Sequence, residues 1–407
     1  MKRLLLSMAA VPLMVGSLSV SASADDGINI LNDVKVKGQI RPRYEYANQK
    51  SNHKDQANAF TARTHLTVTG GLLGVENLTA TVGLQGVNNF GYTHYAPADE
   101  AYDKILDPQG AMLSEASIDY SIDKTALHVG RSQINLDDQR FIGTVGWRQM
   151  ERSYDTVYAA NSSVKNLNLL AAYVYGYAGV GGTTTTNTNS VLLHAKYTVS
   201  PALSVTAFGY LLADIHDTYG LRLTGKMPLD SVKLSYSASY AMQSKASMDY
   251  KSADNADIDA NYLEASLTAN MQGMILGAGY EDLGKANGSS TKGFTTPLAT
   301  LHKFQGFADE FLGQTKASNN NGLTDINVKA GYVAKGFGKA LVFYHNFTAD
   351  TGVSDLGSEI DALYANKIPG FKGLKGLLKA AFYSAGEAGS GHTNDTTRLW
   401  AQLDYRF

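Results

Sequence analysis

The chain has 407 residues, with 35 lysines and arginines against 37 aspartates and glutamates, a formal net charge of −2. A balance this close to zero does not indicate a nucleic-acid partner. There is no cysteine, which excludes disulfides, thiolate metal sites and cysteine nucleophiles. No apolar run of 18 or more residues follows the amino-terminal segment, which excludes a protein that crosses a membrane with helices.

The first 24 residues have the pattern of a secretory signal peptide. Lys2 and Arg3 precede a short apolar run, and the segment Ala22 to Ala24 matches a small-residue cleavage site. Cleavage would leave residues 25–407 as a single domain. Loss of the two amino-terminal cations lowers the basic count from 35 to 33 against 37 acids, a net of −4. We therefore expect an exported protein.

The rest of the chain alternates between apolar and polar residues with a period of two. The last ten residues, RLWAQLDYRF, place Leu399, Ala401, Leu403, Tyr405 and Phe407 on one face and mostly polar residues on the other. Period two indicates β-strands whose two faces meet different surroundings. About eighteen such segments begin near residues 34, 58, 77, 111, 125, 153, 166, 189, 203, 219, 231, 257, 273, 323, 339, 356, 375 and 397.

The connections between these segments alternate strictly between short and long. The long connections are polar and cover residues 89–110, 133–152, 179–189, 244–256 and 283–322. Six of the seven prolines beyond the signal peptide fall in predicted turns or loops. Pro42 lies inside the first strand, where we expect a bulge or a local loss of pairing because proline has no N–H to donate.

This pattern predicts an all-β fold: a transmembrane antiparallel up-and-down β-barrel of about 18 strands, with 16 as the alternative. Such barrels have short periplasmic turns and long outer loops. A soluble sandwich or solenoid would bury mainly Leu, Ile, Val and Phe, whereas the apolar face here is rich in Tyr, Ala, Gly and Val. Its tyrosines lie toward strand ends, as in aromatic girdles: Tyr44, Tyr46, Tyr175, Tyr177, Tyr197, Tyr280, Tyr332 and Tyr405.

Known catalytic and metal-binding patterns are missing from the sequence. None of the nine histidines lies two to five residues from another, and there is no G-x-S-x-G elbow, P-loop or D-x-D-x-D-G calcium loop. His65, His128 and His194 lie on polar strand faces and are predicted to line the lumen. We expect no enzyme, metal or cofactor. Barrels of 16 to 18 strands leave an aqueous channel, which favours transport.

Charged side chains concentrate in the segment GRSQINLDDQRFIGTVGWRQMERSYD, residues 130–155. It connects the fifth and sixth predicted strands on the long-loop side. Its apolar residues Phe141, Ile142, Val145 and Trp147 favour a loop, residues 131–152, that folds inward against the barrel wall. The candidate constriction and selectivity residues are Arg131, Asp137, Asp138, Arg140, Arg148 and Arg152, with Arg41, Arg43 and Arg63 on the wall. The two aspartates are expected to orient or pair with arginines.

The same segment resembles a motif of the alginate-export family of outer-membrane barrels, G-R-x-x-I-x-x-D-x-x-R-F-x-G-x-V-x-W/F-R-Q followed by Y/F-D. Similar regions are LHKFQGFADEFLG, NGLTDINVKAGY and DTTRLWAQLDYRF. The resemblance implies an eighteen-stranded barrel with an arginine-rich lumen that exports alginate. The terminal strand also resembles that of bacterial outer-membrane proteins, which implies recognition by the barrel-assembly machinery through Phe407.

Together these observations predict a porin in the outer membrane of a Gram-negative bacterium. Small polar, anionic solutes would diffuse passively through a water-filled barrel constricted by the inward loop. The surrounding partners would be outer-membrane lipid and lipopolysaccharide. The alternatives are an alginate-type exporter of anionic polysaccharide and, from another class, an outer-membrane barrel enzyme.

Overall fold

The structure is a computed structural model that describes residues 30–50, 53–248, 257–312 and 320–407, so the predicted signal peptide lies outside it. The described residues form eighteen strands and one single-turn 3₁₀ helix, Leu301–Lys303. The strands are β1 (Leu31–Gln49), β2 (Ala57–Leu72), β3 (Leu78–Asn88), β4 (Gly110–Ile122), β5 (Thr125–Ser132), β6 (Ser153–Asn161), β7 (Leu167–Ala178), β8 (Thr186–Ser200), β9 (Leu203–Leu212), β10 (His216–Leu229), β11 (Val232–Ser244), β12 (Asp259–Met271), β13 (Met274–Leu283), β14 (Leu323–Ala334), β15 (Gly338–Thr348), β16 (Asp355–Lys367), β17 (Leu374–Ser384) and β18 (Thr396–Arg406). Among the described residues, no helix combines the length and the apolar character that a membrane crossing would need.

The eighteen strands close into one antiparallel barrel. Each strand pairs with its neighbours in sequence, and β1 also pairs with β18, with Gln39 opposite Arg406 and Gln49 opposite Thr396. Closure leaves no strand edge, so every strand can satisfy its backbone hydrogen bonds within the sheet. The predicted barrel is confirmed, with 18 strands and not 16.

The strands lie where the period of two predicted them, and every strand begins within three residues of its predicted start. The strict alternation of short and long connections is wrong at two places. The connection between β15 and β16 at the long-loop end, residues 349–354, is no longer than the short-end connection 368–373 that follows it. The connection between β9 and β10 has only three residues, 213–215, although it lies at the long-loop end. Asp214 adopts a left-handed conformation with φ of 60°, and the Ile215 N–H donates to the Leu212 carbonyl at 3.0 Å, which makes this tight turn possible.

The two faces of the wall differ as the pattern predicts. Outward leucines such as Leu84, Leu221 and Leu378 are more than half exposed, while the residues that point inward are covered. Tyr177 is an exception to the predicted girdle: it lies inside, with the Arg152 guanidinium 5.9 Å from its ring centre. A bulge between Val174 and Gly176 shifts the phase of β7 and turns this side chain inward.

The seam between β1 and β18 contains Pro42, the proline that was predicted to lie inside a strand. Pro228, which was predicted to lie in a turn, also belongs to a strand, one residue before the end of β10. Pro42 keeps its partner Ala62 on β2, but the pairing of β1 with β18 is interrupted from Ile40 to Arg43 with no shift of register. The expected local loss of pairing is confirmed, without a bulge. Near the short-turn end, Gly38 and Phe407 exchange two backbone hydrogen bonds of 2.9 and 3.1 Å. A Cβ on Gly38 would lie 2.1 Å from the Phe407 ring, so glycine leaves room for the ring.

Three long connections enter the barrel and form its core. We call the residues 95–107, 133–152 and 294–312 the loop layer. Its apolar side chains include Ile142, Phe294 and Phe311, which are buried against the inward side chains Tyr262 and Phe347 of the wall. The core of this molecule therefore lies between loops and wall at the long-loop end of the strands.

Candidate pore constriction

The loop between β5 and β6 covers residues 133–152 and folds inside the barrel, as predicted. Its predicted boundary at residue 131 is too early, because Arg131 belongs to β5. There the guanidinium forms two parallel hydrogen bonds of 2.6 and 2.7 Å with Asp155, its direct neighbour on β6. Arg131 thus binds the two strands at the base of the loop to each other.

Three wall arginines hold the backbone and one carboxylate of this loop. Arg41 donates to the carbonyl oxygens of Gly146, at 2.8 Å, and Arg148, at 2.5 Å. Arg43 donates to the Trp147 carbonyl at 2.5 Å, with its guanidinium 4.1 Å from a Trp147 ring centre. Arg63 forms an ion pair with Glu151.

Gln149, the last residue of the W/F-R-Q part of the family motif, is a further loop anchor that was not among the candidate site residues. Its Nε2 donates to the Thr61 hydroxyl at 2.9 Å and the Arg41 carbonyl at 3.1 Å, while its Oε1 accepts from Arg41 Nε at 2.9 Å. Its backbone N–H donates to Asp107 at 2.8 Å. The motif marked the position of this neutral amide, but only the folded geometry reveals what it binds.

Arg148 is the centre of a buried charge cluster. Its guanidinium contacts Glu45 on β1 at 3.2 Å and Asp309 in the third inward loop at 2.5 Å. Burial opposes its charge, but Glu45 and Asp309 raise the pKa of Arg148 above its ordinary value. Burial likewise opposes the charge of Asp309, yet His302 and Arg148 hold its pKa well below the usual range. Both groups are therefore charged at neutral pH.

The remaining loop arginines are also engaged. Arg140 pairs with Glu281 on β13 at 2.5 Å. Burial by itself would lower the pKa of Arg140, but the negative charge of Glu281 raises it overall. Arg152 donates at 3.3 Å to the carbonyl oxygens of Gly143 and Pro297. Each of these loop arginines binds a group from another part of the barrel.

The adjacent aspartates of the loop have different partners. Asp138 pairs with Arg222 on β10 at 2.8 Å, as expected of an aspartate that binds an arginine. Asp137 instead contacts His194 on β8 at 2.9 Å. Burial would raise the pKa of Asp137, but the hydrogen bond and charge of His194 lower it overall. The loop is thus fastened to β8 and β10 as well as to β1 and β2.

The third inward loop, residues 294–312, is joined to the loop 133–152 by backbone hydrogen bonds. The Gly143 N–H donates to Leu298 at 2.9 Å, and the Thr300 N–H donates to Gln139 at 3.0 Å. The wall carboxylate of Glu359 accepts from the Ala308 N–H at 2.7 Å. The two loops therefore behave as one folded body across the lumen.

His302 connects this body to the opposite wall. Its ring stacks on Trp147 with centroids 4.4 Å apart, and its Nε2 lies 2.6 Å from the Lys379 ammonium. Burial, reinforced by the charges of Lys379 and Arg148, holds the pKa of His302 well below its ordinary value despite Asp309. A neutral imidazole can accept from Lys379 at Nε2 while donating from Nδ1 to Asp309 at 2.8 Å.

The predicted site residues are thus brought together, but mainly as structural contacts. Relative exposure is 0% to 7% for Arg41, Arg43, Arg63, Arg140, Arg148 and Arg152, so these groups are not free in the lumen. Open lumen remains on the side of β11 to β15, where a cavity of about 630 Å³ lies beneath Lys303, Phe304 and Gln305. Over the described ranges, no group of three or more acidic or histidine side chains is arranged to hold a metal ion.

Solved structures resemble this architecture, although no protein-family model and no curated protein sequence matches the chain. OccAB2 of Acinetobacter baumannii has 14% sequence identity and a TM-score of 0.73, and the match covers 94% of this chain and 100% of that one. OccAB3 of the same organism has 16% identity and a TM-score of 0.73, with coverage of 92% and 100%. OpdK of Pseudomonas aeruginosa, solved with vanillate, has 13% identity and a TM-score of 0.68, with coverage of 93% and 99%. At these identities the likeness establishes the fold.

Proposed function

We propose that this chain is a porin of the Gram-negative outer membrane through which small polar, anionic solutes diffuse passively. One observation carries the proposal: a closed 18-stranded barrel holds loops inside it and still retains a polar cavity of about 630 Å³. Barrels of this size enclose an aqueous channel, and loops that enter it set its selectivity. OpdK, which has the same fold, is described as an outer-membrane protein and was solved with the carboxylate vanillate, which supports this reading.

In this proposal the predicted constriction residues shape the pore mainly by holding the loop layer in place. Arg41, Arg43 and Arg63 hold the loop on the wall, and Arg148 ties it to the third inward segment. Asp138 orients Arg222 toward the cavity edge. The width of the pore follows from where these contacts hold the loop layer, and the local potential of the remaining lumen charges favours anions.

The outer surface and the carboxyl-terminal strand define the proposed surroundings. The half-exposed leucines of the wall suit outer-membrane lipid, with lipopolysaccharide in its outer leaflet. Phe407, with an exposed ring at the barrel seam, suits recognition by the barrel-assembly machinery.

The alternative is an exporter of an anionic polysaccharide, as the resemblance to the alginate-export family implies. Such an exporter needs basic side chains that are free to bind uronate carboxylates along the conduit. Six lumen arginines are instead buried and bound to protein groups, which favours the porin. Current block by alginate oligomers, absent with single uronates, would favour the exporter.

Planar-bilayer recording tests the porin proposal. The purified full-length chain should insert as steady open steps in KCl, and a salt gradient should give a reversal potential of anion-selective sign. Preparations that contain folded barrel but no conductance would overturn the proposal. A cation-selective reversal potential would overturn its anionic part.

A further inference from the structure

The cavity in the open part of the lumen extends from the loop layer to the short-turn end of the barrel. Lys303 and Phe304 of the third inward loop cover it. It reaches Asn270, one residue before the end of β12, and Lys339, the second residue of β15. Its volume of about 630 Å³ is in the range of small-molecule sites. A solute that passes the loop layer on this side must cross it.

The carboxylates around this cavity are engaged with protein groups. Glu281 is bound by Arg140, and Asp325 contacts His345 at 2.9 Å. Glu264 accepts from the hydroxyls of Ser237, at 2.5 Å, and Ser239, at 3.1 Å. Asp138, which also lines the cavity, pairs with Arg222 at 2.8 Å. The serine hydroxyls do not neutralise Glu264, so this one carboxylate keeps its negative charge beside the lysines.

Three lysine side chains also line this cavity, and they differ from the carboxylates in their contacts. Lys303, Lys329 and Lys339 line it, and none forms an ion pair with a carboxylate in the part of the chain that the structure describes. The Lys303 ammonium donates to the backbone carbonyl of Asp138 at 2.7 Å and lies 5.3 Å from the Phe304 ring centre. Set against the one unpaired carboxylate of Glu264, these three lysines give the cavity a net charge of up to +2.

The chemistry of the cavity lysines favours a phosphate over a carboxylate as the bound group. The lumen arginines, whose planar forks suit a carboxylate, are already occupied, whereas ammonium groups act as compact point charges with three rotatable donors. A net charge of up to +2 matches the charge of about −1.5 to −2 that a phosphate monoester carries at neutral pH better than the charge of a monoanion. Ser237, Ser266, Thr268, Asn270 and Asn327 add hydroxyls and amides to the same lining, which suit a polyhydroxylated body.

Resting on the porin function proposed above, we propose that this cavity is a binding site for phosphate monoesters of small polyhydroxylated solutes, such as hexose phosphates. The phosphate lies among Lys303, Lys329 and Lys339. The sugar hydroxyls face the serine, threonine and asparagine side chains. The site makes hexose phosphates preferred solutes over sugar acids and neutral sugars of the same size.

Single-channel block in KCl tests this site with four probes: glucose 6-phosphate, gluconate, glucose and inorganic phosphate. Glucose 6-phosphate should reduce the current at a concentration at least tenfold lower than gluconate or glucose. Equal potency of gluconate would overturn the phosphate assignment, and equal potency of inorganic phosphate would overturn the polyhydroxylated one.

Substitution of the cavity lysines tests where glucose 6-phosphate binds. Lys329→Gln and Lys339→Gln should each weaken block by glucose 6-phosphate about tenfold, because each removes a charged hydrogen-bond donor, while block by glucose stays unchanged. Lys335→Gln is the matched control, since it removes one charge from a turn at the same end but outside the cavity lining. Block that is unaffected by both cavity variants would overturn the proposed site. Loss of KCl conductance in the unaltered protein would instead overturn the porin function itself.

Discussion

At the scale of single residues, alternation along a strand predicts which way a side chain points but not which group it binds. The phase of β1 and β2 correctly predicted that Arg41, Arg43 and Arg63 point inward, because successive side chains of a strand must face opposite sides. Asp107, the partner of Arg43, and Glu151, the partner of Arg63, lie in loops without periodicity. No rule of local sequence brings those loops to the wall, so the pairing became visible only in the fold.

Arg148 offers the sharpest residue-scale prediction. Arg148→Gln removes the cation between Glu45 and Asp309 and leaves two buried carboxylates without it, at a cost of roughly 3–5 kcal/mol. Part of the loop layer should then detach from the wall while the barrel stays closed. We expect larger and noisier single-channel currents, with new protease cleavage inside residues 133–152 of the membrane-inserted protein.

A surface pair provides the control for this variant. Lys50 and Asp395 are 3.3 Å apart, with side-chain exposures of 64% and 48%, and such pairs contribute about 1 kcal/mol or less. Lys50→Gln should leave current and cleavage pattern unchanged. An unchanged current and cleavage pattern in Arg148→Gln as well would mean that Arg148 does not hold the loop layer.

At the scale of elements, the strands were predictable because one face of each strand is largely polar and points into the barrel, while the other is apolar and exposed on the outside. That contrast repeats along every strand, and it located all eighteen starts within three residues. Two features escaped it. The bulge in β7 adds one residue and reverses the facing of Tyr177, and the three-residue turn 213–215 depends on a left-handed Asp214. Both are departures from periodicity, so periodicity cannot reveal them.

Pro42 gives a prediction about a single strand pair. Pro42→Ala restores a backbone N–H where β1 and β18 are not paired, and one net hydrogen bond contributes about 1 kcal/mol. We expect the urea midpoint for unfolding from lipid vesicles to rise. Pro228→Ala is the comparison, because Pro228 lies one residue from the end of β10, where pairing with β9 has already stopped. A midpoint that rises equally in both variants would exclude a specific effect at the seam.

At the scale of the whole molecule, the proposed function places lipid outside the wall and water inside it, so a charge should be tolerated on only one side. Leu221 is exposed on the outer face near the middle of β10. Leu221→Arg should therefore destabilise the barrel in vesicles by about 2–4 kcal/mol, read as a lower urea midpoint. Ser235→Arg places the same side chain in the lumen, beside the cavity, and should change the midpoint far less. Equal losses would contradict the assignment of the two faces.

The junction of β1 with β18 has a consequence for how the chain folds. Every other strand pair joins neighbours along the chain, whereas this one joins residues such as Gln39 and Arg406. Hairpins can therefore form early, while the closing pair carries nearly the full loop-closure entropy of the chain. Until it forms, both edge strands have unpaired N–H and C=O groups that can capture another strand. Ring closure should thus be the slow step of refolding, and aggregation should compete with it until the last strand is in place.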